Sequence, residues 1–109
     1  MKISGKVIKG KARGRELGFP TANVELKEDI ASGIYGGSVI VEGKEYAAAI
    51  FVFQNLLEAY LFNFNQDIYG MEIRIELGQK IRDVMKFESE EKLKEQIAKD
   101  IKKISNLKF

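Results

Sequence analysis

The 109-residue sequence lacks two residue types that carry much of enzyme chemistry, because it contains no cysteine and no histidine. The absence of cysteine excludes disulfides, thiolate nucleophiles and cysteine metal sites. The absence of histidine removes the commonest general base and the commonest transition-metal ligand. Any chemistry must therefore use carboxylates, hydroxyls, amides, lysine or arginine.

Long hydrophobic runs are also missing. No apolar stretch approaches the roughly 20 residues that a membrane span needs, and the N-terminus lacks the hydrophobic segment of a secretion signal. We therefore expect a cytoplasmic location and no membrane partner. The hydrophobic content of 45% and charged content of 31% are typical of a folded globular protein, and the length predicts a single domain over residues 1–109.

The sequence has almost no excess of positive over negative charge, since it contains 18 basic and 16 acidic residues. This balance gives little support for nucleic-acid binding through bulk charge. The basic residues are nevertheless concentrated near the N-terminus, where Glu16 is the sole acidic residue of the first 18 positions. This segment holds Lys2, Lys6, Lys9, Lys11, Arg13 and Arg15, interspersed with Gly5, Gly10, Gly14 and Gly18.

Alternating apolar residues predict several short strands. They occur in "KISGKVI", "LLEAYLFNF" and "MEIRIEL", and "GIYGGSVIVEGKEYAAAIFVF" indicates a hairpin with a type II′ turn at Gly43–Lys44. Ser89 is predicted to cap a terminal helix, whose apolar stripe comprises Leu93, Ile97, Ile101 and Ile104. Five or six strands followed by one helix favour an all-β fold, a small antiparallel barrel with one C-terminal helix.

The stretch "GRELGFPTAN" holds the only proline of the chain. Its glycine spacing matches neither the dinucleotide fingerprint nor the P-loop. A basic, glycine-rich loop can turn backbone N–H groups inward and receive a polyphosphate. Pro20 favours an extended backbone, so the Thr21 hydroxyl and the Asn23 amide can project to one side as oxygen ligands for magnesium. The alternative is a plain surface loop, with Pro20 at a turn and Asn23 as a local cap.

Glu58 is a carboxylate among aromatic residues. In a strand over residues 57–64 it shares a row with Tyr60, Phe62 and Phe64. A carboxylate there must lie at a barrel mouth, pair with a cation or be protonated part of the time. Such surroundings raise a carboxyl pKa toward the range of a general base. The alternative is that the row faces solvent at that end.

Four blocks of the chain together resemble the riboflavin kinase (flavokinase) family. They are "GKVIKGKARGRELGFPTANVEL", "GIYGGSV", "LEAYLFNFNQDIYG" and "IRDVMKFESEEKLKEQIAKD", and the resemblance covers nearly the whole chain. It implies a six-stranded antiparallel, Greek-key-like barrel with a C-terminal helix. It also implies a kinase that transfers the γ-phosphoryl group of a nucleoside triphosphate, expected to be ATP, to the 5′-hydroxyl of riboflavin, giving FMN with the help of Mg²⁺.

The resemblance also implies site residues by position. Thr21 and Asn23 would bind the metal, and Glu58 would be the catalytic base, facing the metal across the open end of the barrel. Arg82 would lie in the loop before the helix and bind flavin or phosphate. The nucleotide phosphates would be bound by Gly10, Lys11, Gly14, Gly18, Pro20 and Thr21.

Two positions depart from the family pattern. The family usually has a second Pro-Thr-Phe segment before the strand of the glutamate, where this chain has "AAAIFVFQNL", and Val84 stands where the family tends to have Glu. These departures leave open a flavin- or nucleotide-binding module without turnover. A structural domain that binds nucleic acid through the basic N-terminal residues is a third reading. The main expectation is a monomer that acts on small molecules, without nucleic acid and without conversion of FMN to FAD.

Overall fold

A computed structural model describes residues 1–8, 21–64 and 66–107. These residues form a single antiparallel sheet in the order β1-β6-β3-β4-β5-β2. The elements are β1 (Lys2–Lys6), β2 (Ala22–Glu25), β3 (Gly33–Val41), β4 (Lys44–Phe53), β5 (Leu56–Leu61), β6 (Glu72–Arg82) and the helix α1 (Glu90–Ser105). The all-β prediction with one C-terminal helix is confirmed, and the pairing of β6 with β3 and of β5 with β2 gives the Greek-key-like order.

The core lies on one face of the sheet because apolar residues recur at every second position of the strands. In β5, Leu57, Ala59 and Leu61 are buried, whereas the residues between them are only half-buried. The same alternation in β6 buries Ile73 and Ile75. We call the side of the sheet that carries the core the inner face and the opposite side the outer face.

Close approach of the two edge strands nearly closes the sheet into a barrel. A Cβ atom at Gly5 of β1 would collide with the Val24 side chain of β2. Beyond the end of β1, the backbone N–H of Ile8 donates to the carbonyl of Asn23 at 2.8 Å. Gly5 is therefore required by this contact, and closure leaves little open edge for pairing with other chains.

Two tight turns connect β3 to β4 and β4 to β5. Glu42 and Gly43 both have positive φ angles, 49° and 81°, which is the type I′ geometry. The predicted type II′ turn at Gly43–Lys44 was wrong by one residue, because Val41 pairs with Lys44 and both residues between them take positive φ. The second turn, Gln54–Asn55, also has two positive φ angles, 48° and 64°.

Helix α1 has the predicted N-cap, since the Ser89 Oγ accepts a hydrogen bond from the backbone N–H of Lys92 at 3.2 Å. The helix packs on β3 and β4. Of the predicted apolar stripe, Ile104 is fully buried and the other three residues are half-buried. In the part of the chain that the structure describes, no helix is long and apolar enough to cross a bilayer.

The aromatic row predicted beyond Glu58 is shorter than expected. Strand β5 ends at Leu61, and Asn63 adopts a positive φ of 56°, which breaks the alternation. Tyr60 and Phe62 still lie near each other, with ring centroids 5.8 Å apart. Phe64 instead makes an edge contact with Tyr46 at 4.8 Å and packs against the core, so its place in the row was wrongly predicted.

Candidate functional site

A continuous row of side chains crosses the outer face of five strands. Residues directly opposite each other in neighbouring strands point to the same face, and the inward positions of Leu57 and Ala59 place the residue between them on the outer face. We call this set the outer row. In strand order it comprises Asn23, Glu58, Phe51 and Ile34, and it ends at Arg82, which pairs with Ile34 beyond a register shift between Ile34 and Tyr35. Each of its members lies within two residues of the same end of its strand, and the expectation of a site at the open end of the barrel stays a prediction.

Asn23 is an unusual member of this row because it is 6% exposed and its side-chain oxygen, Oδ1, is buried without a hydrogen-bond partner among the described residues. Its amide nitrogen donates to the Thr21 carbonyl oxygen at 3.5 Å. An unpaired buried acceptor costs about 1–3 kcal/mol, so such an atom is costly unless a ligand meets it. Thr21 is half-buried and stands immediately before β2, two residues before Asn23.

This pair fits a magnesium ion by its donor chemistry. Magnesium binds oxygen ligands, keeps several of its waters and needs only one or two protein groups together with substrate phosphates. A hydroxyl and a buried amide oxygen meet that requirement. Among the described residues, no cluster of three or more acidic, histidine or cysteine side chains is arranged to hold a metal.

Glu58 lies directly opposite Asn23 in the β2–β5 ladder. Such cross-strand partners have Cβ atoms about 5 Å apart, so the carboxylate and the unpaired amide oxygen belong to one small region. Asn23 and Glu58 are therefore brought together, with Thr21 two residues before Asn23 in the chain, and the roles of all three stay predictions. The predicted phosphate-binding residues Gly10, Lys11, Gly14, Gly18 and Pro20 lie outside the described residues.

Arg82 forms the other end of the outer row. It is the last residue of β6 rather than part of the following loop, which corrects the expected position. Its Nε donates to Asp100 Oδ1 at 2.9 Å and its Nη2 to Asp100 Oδ2 at 2.7 Å. Its Nη1 donates to the Asp83 carbonyl at 2.9 Å, and the guanidinium lies 5.9 Å from the Phe87 ring centroid. Arg82 thus ties the end of β6 to α1.

Asp100 was missed by the sequence analysis. Its side chain is 6% exposed and also accepts a hydrogen bond from Gln96 Nε2 at 3.0 Å. A signal was present, since Asp100 stands three residues after Ile97 and four before Ile104, within the apolar stripe of the helix. An acidic residue on the buried face of a helix needs a cationic partner, and Arg82 supplies it.

Comparison with known proteins agrees with the architecture. The family model described as "Flavokinase: Riboflavin kinase" matches residues 1–108. An RNA-binding riboflavin kinase of Bacillus subtilis, RibR, is 39% identical over 91% of this chain and 47% of its own length. The crystal structure of riboflavin kinase from Trypanosoma brucei superposes with a TM-score of 0.72 at 26% identity, covering 96% of this chain and 74% of that one.

A second solved structure is more similar in sequence and shape. It is titled a macrolide-efflux protein from Streptococcus pneumoniae and gives a TM-score of 0.92 at 34% identity, covering 98% of this chain and 39% of that chain. The chain also spans less than half the length of the curated relatives it matches, for example 17% of a trifunctional protein RibF/MnmA from Mycoplasmoides gallisepticum.

Proposed function

The chain belongs to the riboflavin kinase family, and from that premise we propose that it phosphorylates riboflavin. The γ-phosphoryl group of a nucleoside triphosphate passes to the riboflavin 5′-hydroxyl, giving FMN and a nucleoside diphosphate. The observation that carries the proposal is the direct pairing of Asn23 with Glu58 on the outer face, where the Asn23 Oδ1 is buried and has no hydrogen-bond partner in residues 1–8, 21–64 and 66–107. This arrangement supports a metal-binding amide beside a proton acceptor.

In the proposed reaction, Glu58 accepts the proton of the 5′-hydroxyl as that oxygen attacks the γ-phosphorus. One oxygen–phosphorus bond forms, and the bond from the γ-phosphorus to the bridging oxygen of the leaving diphosphate breaks. General-base assistance of this kind typically contributes ~10²–10⁴ in rate. Positioning and charge neutralisation supply the larger share in phosphoryl transfer.

The proposed metal ligands are the Thr21 hydroxyl and Asn23 Oδ1. These two oxygens would hold a magnesium ion, whose positive charge would offset the negative charge of the phosphate oxygens. The buried position of Asn23 supports a fixed ligand, since its side chain cannot turn freely into solvent. ATP is the proposed donor, and the basic segment that includes Gly10, Lys11 and Gly14 is proposed to bind its phosphates.

Arg82 is proposed to act on this site through helix α1. Its guanidinium already donates three hydrogen bonds to Asp100 and one to the Asp83 carbonyl. This engagement favours a role in holding the helix over direct contact with substrate. Direct binding of flavin or phosphate by Arg82, as the family resemblance implies, stays a prediction.

The test is the conversion of riboflavin to FMN by the purified protein with magnesium and each of the four nucleoside triphosphates. Glu58→Gln should lower turnover by a factor of about 10²–10⁴. Binding to this variant should still quench the fluorescence of riboflavin. Glu25→Gln is the matched control, because Glu25 lies two residues from Asn23 on the same face of β2 and is exposed. Equal turnover by Glu58→Gln and the wild type removes Glu58 from the mechanism.

The short β4–β5 turn at Gln54–Asn55 favours one alternative, a binding module of the same fold without turnover. That alternative predicts tight flavin quenching by the wild type and no FMN with any of the four nucleotides. The same experiment therefore separates the two functions.

A further inference from the structure

Two phenylalanines lie on the outer face of β4 beside Glu58. Phe51 is directly opposite Glu58 in the β4–β5 ladder, and Phe53 follows two residues later on the same face. Their ring centroids are 6.4 Å apart and their planes are inclined by 47°. Phe53 is 43% exposed, so a large aromatic surface meets solvent next to the proposed proton acceptor.

Across the strands, Phe51 lies opposite Ile34 and Phe53 lies opposite Leu56, but the outer-face position that precedes Phe51 on β4 is small. Ala49 occupies it, two residues before Phe51, and is paired with Gly36 of β3. The rings of Phe51 and Phe53 therefore have no bulky neighbour on that side along their own strand. A planar molecule can lie against aromatic faces in this geometry.

We propose that Phe51 and Phe53 bind the planar isoalloxazine ring of the acceptor, an inference that rests on the proposed function. The two sides of Glu58 differ, since Asn23 on β2 and Thr21 just before this strand form the proposed metal and phosphate side. The phenylalanines lie on β4, across Glu58 from it. The ring assigned to them is therefore that of the acceptor and not the adenine of the nucleotide.

The distances agree with this assignment. Neighbouring strands lie about 4.8 Å apart and two residues of strand span about 6.7 Å, so Phe53 is about 8 Å from Glu58 along the sheet. The ribityl chain joins the 5′-oxygen to the ring through six bonds, which reach about 7 Å at the ~1.2 Å per bond of an extended chain. A ring against Phe53 thus allows the 5′-hydroxyl to reach Glu58.

The experiment measures binding by flavin fluorescence for riboflavin and for lumiflavin, which has the ring without the ribityl chain. Phe53→Ala should weaken both by about tenfold, the loss expected for one ring contact. The Phe53→Ala substitution should also raise the KM for riboflavin and leave the KM for ATP unchanged. Tyr69→Ala is the control, because Tyr69 is 60% exposed and lies on the segment between β5 and β6. This variant should bind both flavins with the affinity of the wild type.

Phe51→Leu is the second variant, since it keeps an apolar side chain at a half-buried position and removes only the aromatic face. Thermal unfolding of each variant verifies that it is folded. The inference is overturned if Phe53→Ala and Phe51→Leu both bind lumiflavin as tightly as the wild type. It is also overturned if Tyr69→Ala loses as much lumiflavin affinity as they do.

Failure of the inference and failure of the proposed function give different results. If the wild type forms FMN and both variants do so with unchanged riboflavin KM, the inference fails and the function stands. If the wild type binds flavin but forms no FMN, and Phe53→Ala weakens the binding, the function fails and the inference stands. If the wild type neither binds nor phosphorylates riboflavin, both are overturned.

Discussion

The ion pair between Arg82 and Asp100 should be among the most stabilising polar contacts of the fold. The side chains are 16% and 6% exposed, and Nε and Nη2 of the guanidinium contact both carboxylate oxygens at 2.7 to 3.1 Å. Removal of one partner from a buried pair leaves the other charge uncompensated and costs about 3–5 kcal/mol. We therefore expect Arg82→Met and Asp100→Asn each to lower the free energy of unfolding by about 3 kcal/mol or more.

This loss is large against the roughly 5–15 kcal/mol total stability of a typical domain. At about 4–8 °C per kcal/mol for a domain of this size, the melting temperature should fall by more than about 12 °C. Far-ultraviolet circular dichroism during heating and in urea measures both quantities. The exposed Lys92–Glu88 pair, 3.2 Å apart, is the matched control, and Lys92→Met should cost no more than about 0.5 kcal/mol.

The double variant Arg82→Met with Asp100→Leu tests the origin of the effect. Because replacement of a whole buried pair by apolar side chains is often neutral, it should recover most of the stability lost by either single variant. Additive losses in the double variant, or single losses below about 1 kcal/mol, would refute the assignment of a buried, strongly coupled pair.

The same variants distinguish the two roles proposed for Arg82. If Arg82 acts by holding α1, Arg82→Met and Asp100→Asn should weaken riboflavin binding to a similar extent, measured where both are folded. If its guanidinium contacts flavin or phosphate directly, Arg82→Met should weaken binding far more than Asp100→Asn. If the wild type, Arg82→Met and Asp100→Asn bind riboflavin with similar affinity, both roles are contradicted.

Two further predictions concern the metal ligand and a surface pair. Magnesium with ADP should raise the melting temperature of the wild type, since a ligand at 100 times its Kd adds about 2.7 kcal/mol; Asn23→Ala should abolish the rise, and an equal rise in the variant would exclude Asn23 as a ligand. The Lys80 ammonium, 2.6 Å from the Asp83 carboxylate, donates a hydrogen bond that lowers the pKa of Asp83 below 3.8. Stability from this pair is present above the unfolded pKa of Asp83 and is lost as the pH falls through the folded one. Lys80→Met should return the Asp83 pKa toward 3.8 in an NMR titration, and an unchanged value would show that Lys80 is not the cause.

The strands and the helix could be predicted because their signals are local. Alternation in "MEIRIEL" places Ile73 and Ile75 on one face, and the serine cap with acidic and basic ends defines α1. Such patterns depend on side chains a few residues apart, so a single sequence contains them in full. The barrel follows from the number of strands, which require closure or cover for their edges.

The pairing of distant residues could not be predicted from these patterns. Asn23 meets Glu58, and Arg82 meets Asp100, only because strand order and register bring them together. A shift of one residue in register would turn each side chain to the other face. The turn at Glu42–Gly43 was misplaced for a related reason, since the twist of the paired strands selects the type I′ geometry over the neighbouring register.

The position of the outer row explains how a small barrel can carry the candidate site without weakening its core. Each strand offers two faces, and Leu57 and Ala59 fill the inner one while Glu58 occupies the outer one. Replacement of Glu58 therefore removes no core side chain, whereas truncation of a buried leucine typically costs about 2–5 kcal/mol. Helix α1, held by the Arg82–Asp100 pair, packs on the same strands β3 and β4 that carry the middle of the row. Because the candidate site and the core occupy alternate positions of the same strands, a kinetic defect in an outer-row variant that melts normally can be attributed to lost chemistry or binding.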